Sequence, residues 1–359
     1  MMKVCWLTCV AAPYTIRLFD EIAASVDLYV VMDDKKEENR NNEWRIGDSH
    51  SFTFYRIGND YHKKIREMAE ICDVLIDGMY LSTYGFDAVS AFKKKGKKVV
   101  MAADGGIARN RGFVINNIMS FFMKRHDFFL SSSEITDRYF LYYKVDPSKI
   151  HHYRFTSLTK DDLNKNRKMY EERIELRREL NMDEKYVMIS VGQPIPRKGF
   201  DILVRAYKES TLADQIDLYI VGGKAESEVE RYVNENGLSN VHFIDLLPSK
   251  QLAKYYGASD LFILCTREDI WGLVIEEAMS YGLPVITSDE CVAGLHFNQI
   301  DENIVICHYD DVSAYAGKIR DFYENRNDRE KIASSVLSSV EPYSIENSSK
   351  DIIHVLSLL

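Results

Sequence analysis

The sequence predicts an α/β protein built from two doubly wound domains in series. Three observations carry this expectation. Short apolar runs rich in β-branched residues alternate with amphipathic helical stretches along the chain, the pattern of parallel sheets covered on both faces. The 359 residues suffice for about two domains at roughly 100–200 residues each. One highly charged helical stretch, 161–182, separates the two runs of alternation.

In the first half, strands are expected at 3–9, 27–32, 51–56, 74–76, 98–102, 128–131 and 151–155, with helical patterns between them such as 15–24 and 60–71. The opening Met1-Met2-Lys3-Val4-Cys5-Trp6 is apolar but short and lacks the layout of a cleavage site, so it reads as a first strand rather than a secretion signal. In the second half, strands are expected at 186–191, 217–221, 241–245, 261–264, 285–287 and 304–307. Helices fit 200–209, 226–236, 249–257, 272–281 and 312–325. The boundary falls near residue 157, giving domains 1–157 and 158–342.

Apolar residues at 46% and charged residues at 28% exclude disordered and fibrous classes. No apolar run approaches the roughly 18 residues of a membrane-spanning helix. Cys5, Cys9, Cys72, Cys265, Cys291 and Cys307 show no metal-ligand spacing and read as reduced thiols of a cytoplasmic protein. Net charge is −9, but up to Ser157 there are 23 Lys+Arg against 20 Asp+Glu, and beyond it 23 against 35. Basic helices or aromatic-plus-basic sheet motifs for nucleic acid are missing, so no nucleic-acid partner is expected. A basic first half suits an anionic surface or substrate; a solvated lysine-rich helix end explains Lys93-Lys94-Lys95-Gly96-Lys97-Lys98 equally well.

Two segments carry chemistry. Val191-Gly192-Gln193-Pro194-Ile195-Pro196-Arg197-Lys198-Gly199 lies between a strand and a helix, where fixed cations at the carboxyl edge of a sheet suit a phosphate. Taken alone the signal is weak, because many such loops carry a lysine. The second segment, Glu268-Asp269-Ile270-Trp271-Gly272-Leu273-Val274-Ile275-Glu276-Glu277-Ala278-Met279, is a polar acidic loop running into a helix that Gly282 and Pro284 end. Amides at Gly272 and Leu273 form a helix N-terminus suited to a pyrophosphate, and the acids offer acceptors for sugar hydroxyls.

These residues resemble the retaining glycosyltransferases of family 4, glycosyl transferases group 1, with the GT-B fold of two Rossmann-like domains facing across a cleft. The carriers are Glu277-Ala278-Met279, Gly282-Leu283-Pro284-Val285, Trp271-Gly272-Leu273 and an acid eight residues before Glu277, which is Asp269. Pairing Glu268 with Glu276 would put Gly272 and the Ala-Met pair out of register. Whether Asp269 or Glu268 contacts the donor sugar stays open. The resemblance implies that Lys198, helped by Arg197, meets the donor diphosphate, that Gly192 and Gln193 belong to the same loop, and that Gln193 stands where arginine is common. Gly222 and Gly223 resemble the glycine turn near the nucleotide; Ile244 and Asp245 resemble the strand end that meets the base, with Asp245 replacing a glycine. Glu277 is implied to accept from the ribose. In the first half the match is one of layout, since Ala11-Ala12-Pro13 replaces a glycine pair. Residues 343–359 resemble the family's last helix, which crosses back to the first, acceptor-side domain; residues 158–342 are the donor domain.

The implied activity is transfer of a hexose-type sugar from a nucleotide-diphosphate sugar co-substrate to a glycan or lipid-linked acceptor with retention, in cell-surface polysaccharide or glycoconjugate synthesis, with no cofactor and no metal. The alternative is a catalytically weak nucleotide-sugar-binding partner subunit of the same fold; an epimerase of similar shape fits the motifs less well. A metal-dependent transferase would want Asp-x-Asp, and Asp33-Asp34 lacks the spacer and reads as a solvated turn. His126 and His151-His152 lack ligand companions. Asp104 in Ala103-Asp104-Gly105-Gly106 closes a strand, either orienting an acceptor or forming a turn. The apolar stretch 117–123 running into Lys124 and Arg125 suggests weak contact of the N-terminal domain with an anionic membrane, a core helix being an equal reading.

Overall fold

The computed structural model describes residues 1–9, 12–33, 50–80, 82–182 and 184–359. They form two compact units: Met1–Thr159 with Tyr343–Leu359, and Lys160–Pro342.

The first unit runs through β1 (Lys3–Thr8), α1 (Pro13–Ala23), β2 (Asp27–Asp33), β3 (Thr53–Ile57), α2 (Tyr61–Ile71) and β4 (Val74–Asp77). It continues with α3 (Thr83–Lys94), β5 (Lys98–Ala103), α4 (Phe113–Met123), β6 (Phe128–Ser131), α5 (Glu134–Tyr142) and β7 (Ile150–His152). The strands pair in parallel in the order β3-β2-β1-β4-β5-β6-β7. Helix α2 illustrates why the helices form. Tyr61, Ile65, Met68 and Ala69 recur at helical spacing and are buried, while Lys63 and Glu70 face water.

The second unit opens with α6 (Lys160–Glu171), α7 (Arg173–Glu179), β8 (Tyr186–Val191), α8 (Phe200–Glu209), β9 (Ile216–Val221), α9 (Ser227–Glu235), β10 (Val241–Ile244) and α10 (Ser249–Ala258). Then come β11 (Leu261–Leu264), α11 (Leu273–Ser280), β12 (Val285–Ser288), α12 (Val292–Asn298), β13 (Ile304–Cys307), α13 (Val312–Glu324) and α14 (Arg329–Val340). Its parallel sheet has the order β10-β9-β8-β11-β12-β13. The chain winds outward from β8 to β10, then returns to start again on the other side of β8. That reversal leaves room for a ligand outside the carboxyl ends of β8 and β11.

Helix α15 (Ile345–Ser357) belongs to the first unit and packs on α1. Ser344 caps it by accepting from the Asn347 amide, and the Ile345 amide donates to the Leu158 carbonyl at 2.8 Å. Arg154 Nη1 reaches both carboxylate oxygens of Asp351 at 2.8 and 2.9 Å.

A strand stands at every position where one was expected, most with ends within one or two residues and the last of the first unit clearly shortened. The strand expected at 151–155 is Ile150–His152, because Tyr153 turns its hydroxyl to the Ala103 carbonyl and Asp104 and the chain leaves the sheet. The charged stretch at 161–182 is two helices, broken at Glu172. The lysine run after α3 is not a free basic patch: Lys93 pairs with Asp127 at 2.5 Å, Lys95 with Glu70 at 2.5 Å, and Lys97 lies 3.9 Å from Asp73. Ala12 and Pro13 start α1, whereas Ala11 lies outside the described residues; so does Asp34 of the Asp33-Asp34 reading. Among the described residues no helix is long and apolar enough to cross a membrane, and no cluster of three His, Cys, Asp or Glu could hold a metal ion.

Candidate functional site

The loop after β8 is built to press against the end of β11. A short 3-10 turn, Pro196–Lys198, ends at Gly199, whose φ of +68° is left-handed. A Cβ there would lie 1.8 Å from the Cys265 carbonyl oxygen, so only glycine allows the approach. That approach sets Lys198 against the loop after β11. Lys198 Nζ donates to Asp269 Oδ2 at 2.6 Å, and both side chains are mostly buried, 12% and 14% exposed. Arg197 donates from Nη1 to the Glu268 carbonyl and stands 3.9 Å from Asp269 Oδ2. Its own carbonyl accepts from the Arg267 amide at 2.8 Å and the Thr266 hydroxyl at 3.0 Å.

Asp269 is held from the other side as well. Its amide donates to the Glu290 carbonyl at 2.8 Å, and its carbonyl accepts from the Val292 amide at 3.3 Å. Gly272 has a φ of +99° and precedes α11 without a side-chain cap; a Cβ there would lie 2.7 Å from Cys291 Sγ. Burial, then the charge of Asp269, pushes the Cys291 thiol up to about 12. It therefore stays protonated and donates to the Trp271 carbonyl at 3.3 Å. The α11 turn entered at Leu273 thus has its amides at the same sheet edge as the Lys198–Asp269 pair.

Glu277 lies one turn inside α11, half-buried, with its Oε2 accepting from Tyr256 at 3.3 Å. Its neighbour Glu276 is fully buried. On the other flank, the Gly222 and Gly223 amides donate to the Ile244 carbonyl at 3.0 and 3.2 Å, and a Cβ on Gly222 would lie 2.0 Å from the Gly192 carbonyl oxygen. The ends of β8, β9 and β10 are thereby fused, with Gln193 and Asp245 exposed beyond them.

The structure thus brings Gly192, Arg197, Lys198, Glu268, Asp269, Trp271, Gly272 and Leu273 to one edge, with Gly222, Gly223 and Ile244 adjoining and Glu277 behind. Asp104 belongs to the first unit, at the end of β5. The residue is exposed, and its carboxylate accepts from the Tyr153 hydroxyl at 3.3 Å. Crowding by surrounding protein pushes it up to about 6, against the downward pull of that hydrogen bond.

Three supporting groups were not foreseen. Arg267 grips Asp201 in the first turn of α8 through two bonds of 2.9 and 2.7 Å. Burial drives the Asp201 carboxyl up, but Arg267 outweighs it and the net displacement is downward. Tyr256 holds Glu277, and Cys291, read as an ordinary buried thiol, underlies Gly272. Only Arg267, next to the acidic pair, left a signal in the sequence.

Residues 172–336 match the family model of glycosyl transferases group 1. The D-inositol 3-phosphate glycosyltransferase of Salinispora tropica is 27% identical over 194 residues, covering 50% of this chain and 40% of that protein. The matched part spans about two fifths of the length of such curated relatives. A crystal structure of a glycosyltransferase from Rickettsia africae superposes with a TM-score of 0.79 at 15% identity, covering 99% of this chain and 98% of that one. The Anabaena HepE protein in complex with UDP-glucose gives 0.76 at 16%, covering both chains fully. These likenesses identify the fold as GT-B.

Proposed function

We propose that this chain, whose residues 172–336 match the family model of glycosyl transferases group 1, is a retaining, metal-independent glycosyltransferase. It moves a hexose-type sugar from a nucleotide-diphosphate sugar to a glycan or lipid-linked acceptor in cell-surface glycan synthesis. The observation that carries the reading is the Lys198–Asp269 pair of 2.6 Å at the winding reversal of the second sheet, beside the open start of α11. A cation and helix amides suit a diphosphate; acids beside them suit hydroxyls. Lys198, Arg197 and the Gly272-Leu273 amides hold the diphosphate and stabilise the charge that grows on it as the sugar leaves. Asp269, or Glu268, accepts from the sugar, and Glu277 from the ribose. Gly192, Gln193, Gly222, Gly223, Ile244, Asp245 and Trp271 shape the nucleotide pocket. Retention needs no dedicated base, because the departing phosphate takes the acceptor proton; Asp104 orients the acceptor. Support for the donor class comes from the Anabaena HepE complex with UDP-glucose.

The same reading places the protein in the cytoplasm, peripheral to an anionic membrane face. Helix α4 presents Phe113, Val114, Ile118 and Phe121 to water, 54–84% exposed, with Arg111 and Lys124 at its ends, while Met119, Phe122 and Met123 are buried behind. The protein should pellet with anionic vesicles and not with neutral ones; recovery in the supernatant with both would favour a soluble acceptor.

The central experiment incubates the purified chain with UDP-, GDP-, ADP- and dTDP-sugars and measures release of the nucleoside diphosphate. Release with one donor class, reduced in Lys198→Ala, is expected. Binding of a donor with no turnover under any acceptor would replace the enzyme by a binding subunit.

A further inference from the structure

At the opposite, amino-terminal edge of the second sheet lies a cavity of about 550 Å³. The starts of β8, β11 and β12 reach it through Tyr186, Asp260 and Pro284, and α7 and the turn before α14 close it. Its charge is unbalanced. Asp260, only 4% exposed, faces three guanidinium groups: Arg173, Arg177 at 2.5 Å and Arg329 at 3.6 Å. Arg177 is satisfied further by the Ala258 and Lys185 carbonyls at 2.8 and 3.0 Å. Arg173 Nε and Arg329 Nη2 are buried and have no acceptor among the described residues. A fourth guanidinium, Arg326, stands exposed at the mouth, stacked 4.3 Å over the Tyr323 ring. Lys185 adds little, being matched by Asp217 at 3.5 Å, and Glu184 is the other acid of the wall.

Donors without acceptors and like charges in contact are both costly out of water. Burial and the Arg177 charge outweigh Asp260 and draw the Arg173 pKa below its ordinary value, a tension that an added anion would relieve. Phe322, Tyr323 and Ile332 give the rest of the wall an apolar and aromatic part, beside the polar Gln215 and Asn327. We propose that this cavity is a second ligand site, for a small phosphorylated molecule whose phosphoryl group meets Arg173, Arg329 and Arg326 while its ring or apolar part lies along Tyr323 and Phe322. The site is separate from the donor edge and does not depend on the activity assigned to it.

Calorimetric titration of the full chain with AMP and with pyrophosphate tests this. Both probes should bind the parent saturably and bind Lys198→Ala at this second site with unchanged affinity. Arg329→Gln should weaken that binding about tenfold or more. Arg326→Glu does the same without touching Asp260, so a folding defect in the first variant cannot mask the answer. Binding unaltered in Arg326→Glu, or abolished by Lys198→Ala alone, would overturn the proposal, as would no saturable binding of either probe. Absence of turnover with every nucleotide sugar would sink the transferase reading and leave this result intact.

Discussion

Both sheets wind outward for three strands and then restart on the far side of the first, β1 in one unit and β8 in the other, yet the acids beside that switch point sit in different surroundings. In the first unit Asp77, closing β4, is completely buried, accepts from the Met79 amide at 2.9 Å and lies 3.3 Å from His126 Nε2. In the second unit the acid beyond β11, Asp269, faces a lysine at 2.6 Å and keeps 14% of its side chain exposed. One acid ties a strand end to its own core, the other holds a lysine across two loops at the end of the sheet. The same topology therefore places a carboxylate that is fully enclosed in one unit and one that faces a cation in the other.

Backbone changes should sharpen the contrast most. Gly199→Ala places a methyl 1.8 Å from the Cys265 carbonyl, and we expect a loss on the order of 4 kcal/mol in chemical denaturation, or no folded second unit. Gly96→Ala, at a nearly identical φ of +69° but in open space, should cost about 1 kcal/mol. Comparable losses for the two would mean that the loop contact does not constrain Gly199.

Next comes Asp77→Ala, which leaves His126 and the Met79 amide without their acceptor. It should lower stability by about 3 kcal/mol. Lys198→Ala should do the converse, shifting the melting temperature less than Asp77→Ala while cutting donor turnover roughly ten- to a hundredfold, the equivalent of one charged contact to phosphate at about 1.5–3 kcal/mol. Were Lys198→Ala to turn over donor like the parent, the distinction between the two acids would collapse. Within α11, Glu277→Gln should reduce turnover without unfolding, whereas Glu276→Gln, at a fully buried position, should register in stability first.

The smallest effect concerns pH. Asp104 rises from an ordinary 3.8 to about 6 in the folded chain, so folding favours its protonated form. Its ionisation therefore subtracts stability as pH climbs from about 4 to about 6, and nothing further changes above that. Asp104→Asn should flatten the parent's decline in melting temperature over this window. An identical decline in both proteins would assign it to other groups.

Much of the fold was legible because parallel strands buried on both faces write near-continuous apolar runs, and β8 or β11 can hardly be read otherwise. Gly192, Gly199 and Gly272 were conspicuous for a similar reason, lying in two contiguous segments. Contacts across 71 residues, such as Lys198 to Asp269, leave no local trace. Nor does the arginine cavity, assembled from α7, strand starts and the turn before α14; in the sequence Arg173 and Arg177 belong to a helix that reads as solvated. Helix α4 fits each of its two sequence readings in part, since Phe122 and Met123 turn inward while Phe113 and Phe121 stay exposed.

The return of α15 to the first unit has a consequence for the order of events on the ribosome. The second unit is one uninterrupted stretch, whereas the first is completed only when 343–359 emerges, after the whole of Lys160–Pro342. At roughly 5–20 residues per second, α1 waits roughly 16 to 65 seconds without the helix that covers it. Over that interval Arg154 has no Asp351 to grip, and the younger half of the protein can be finished before the older one.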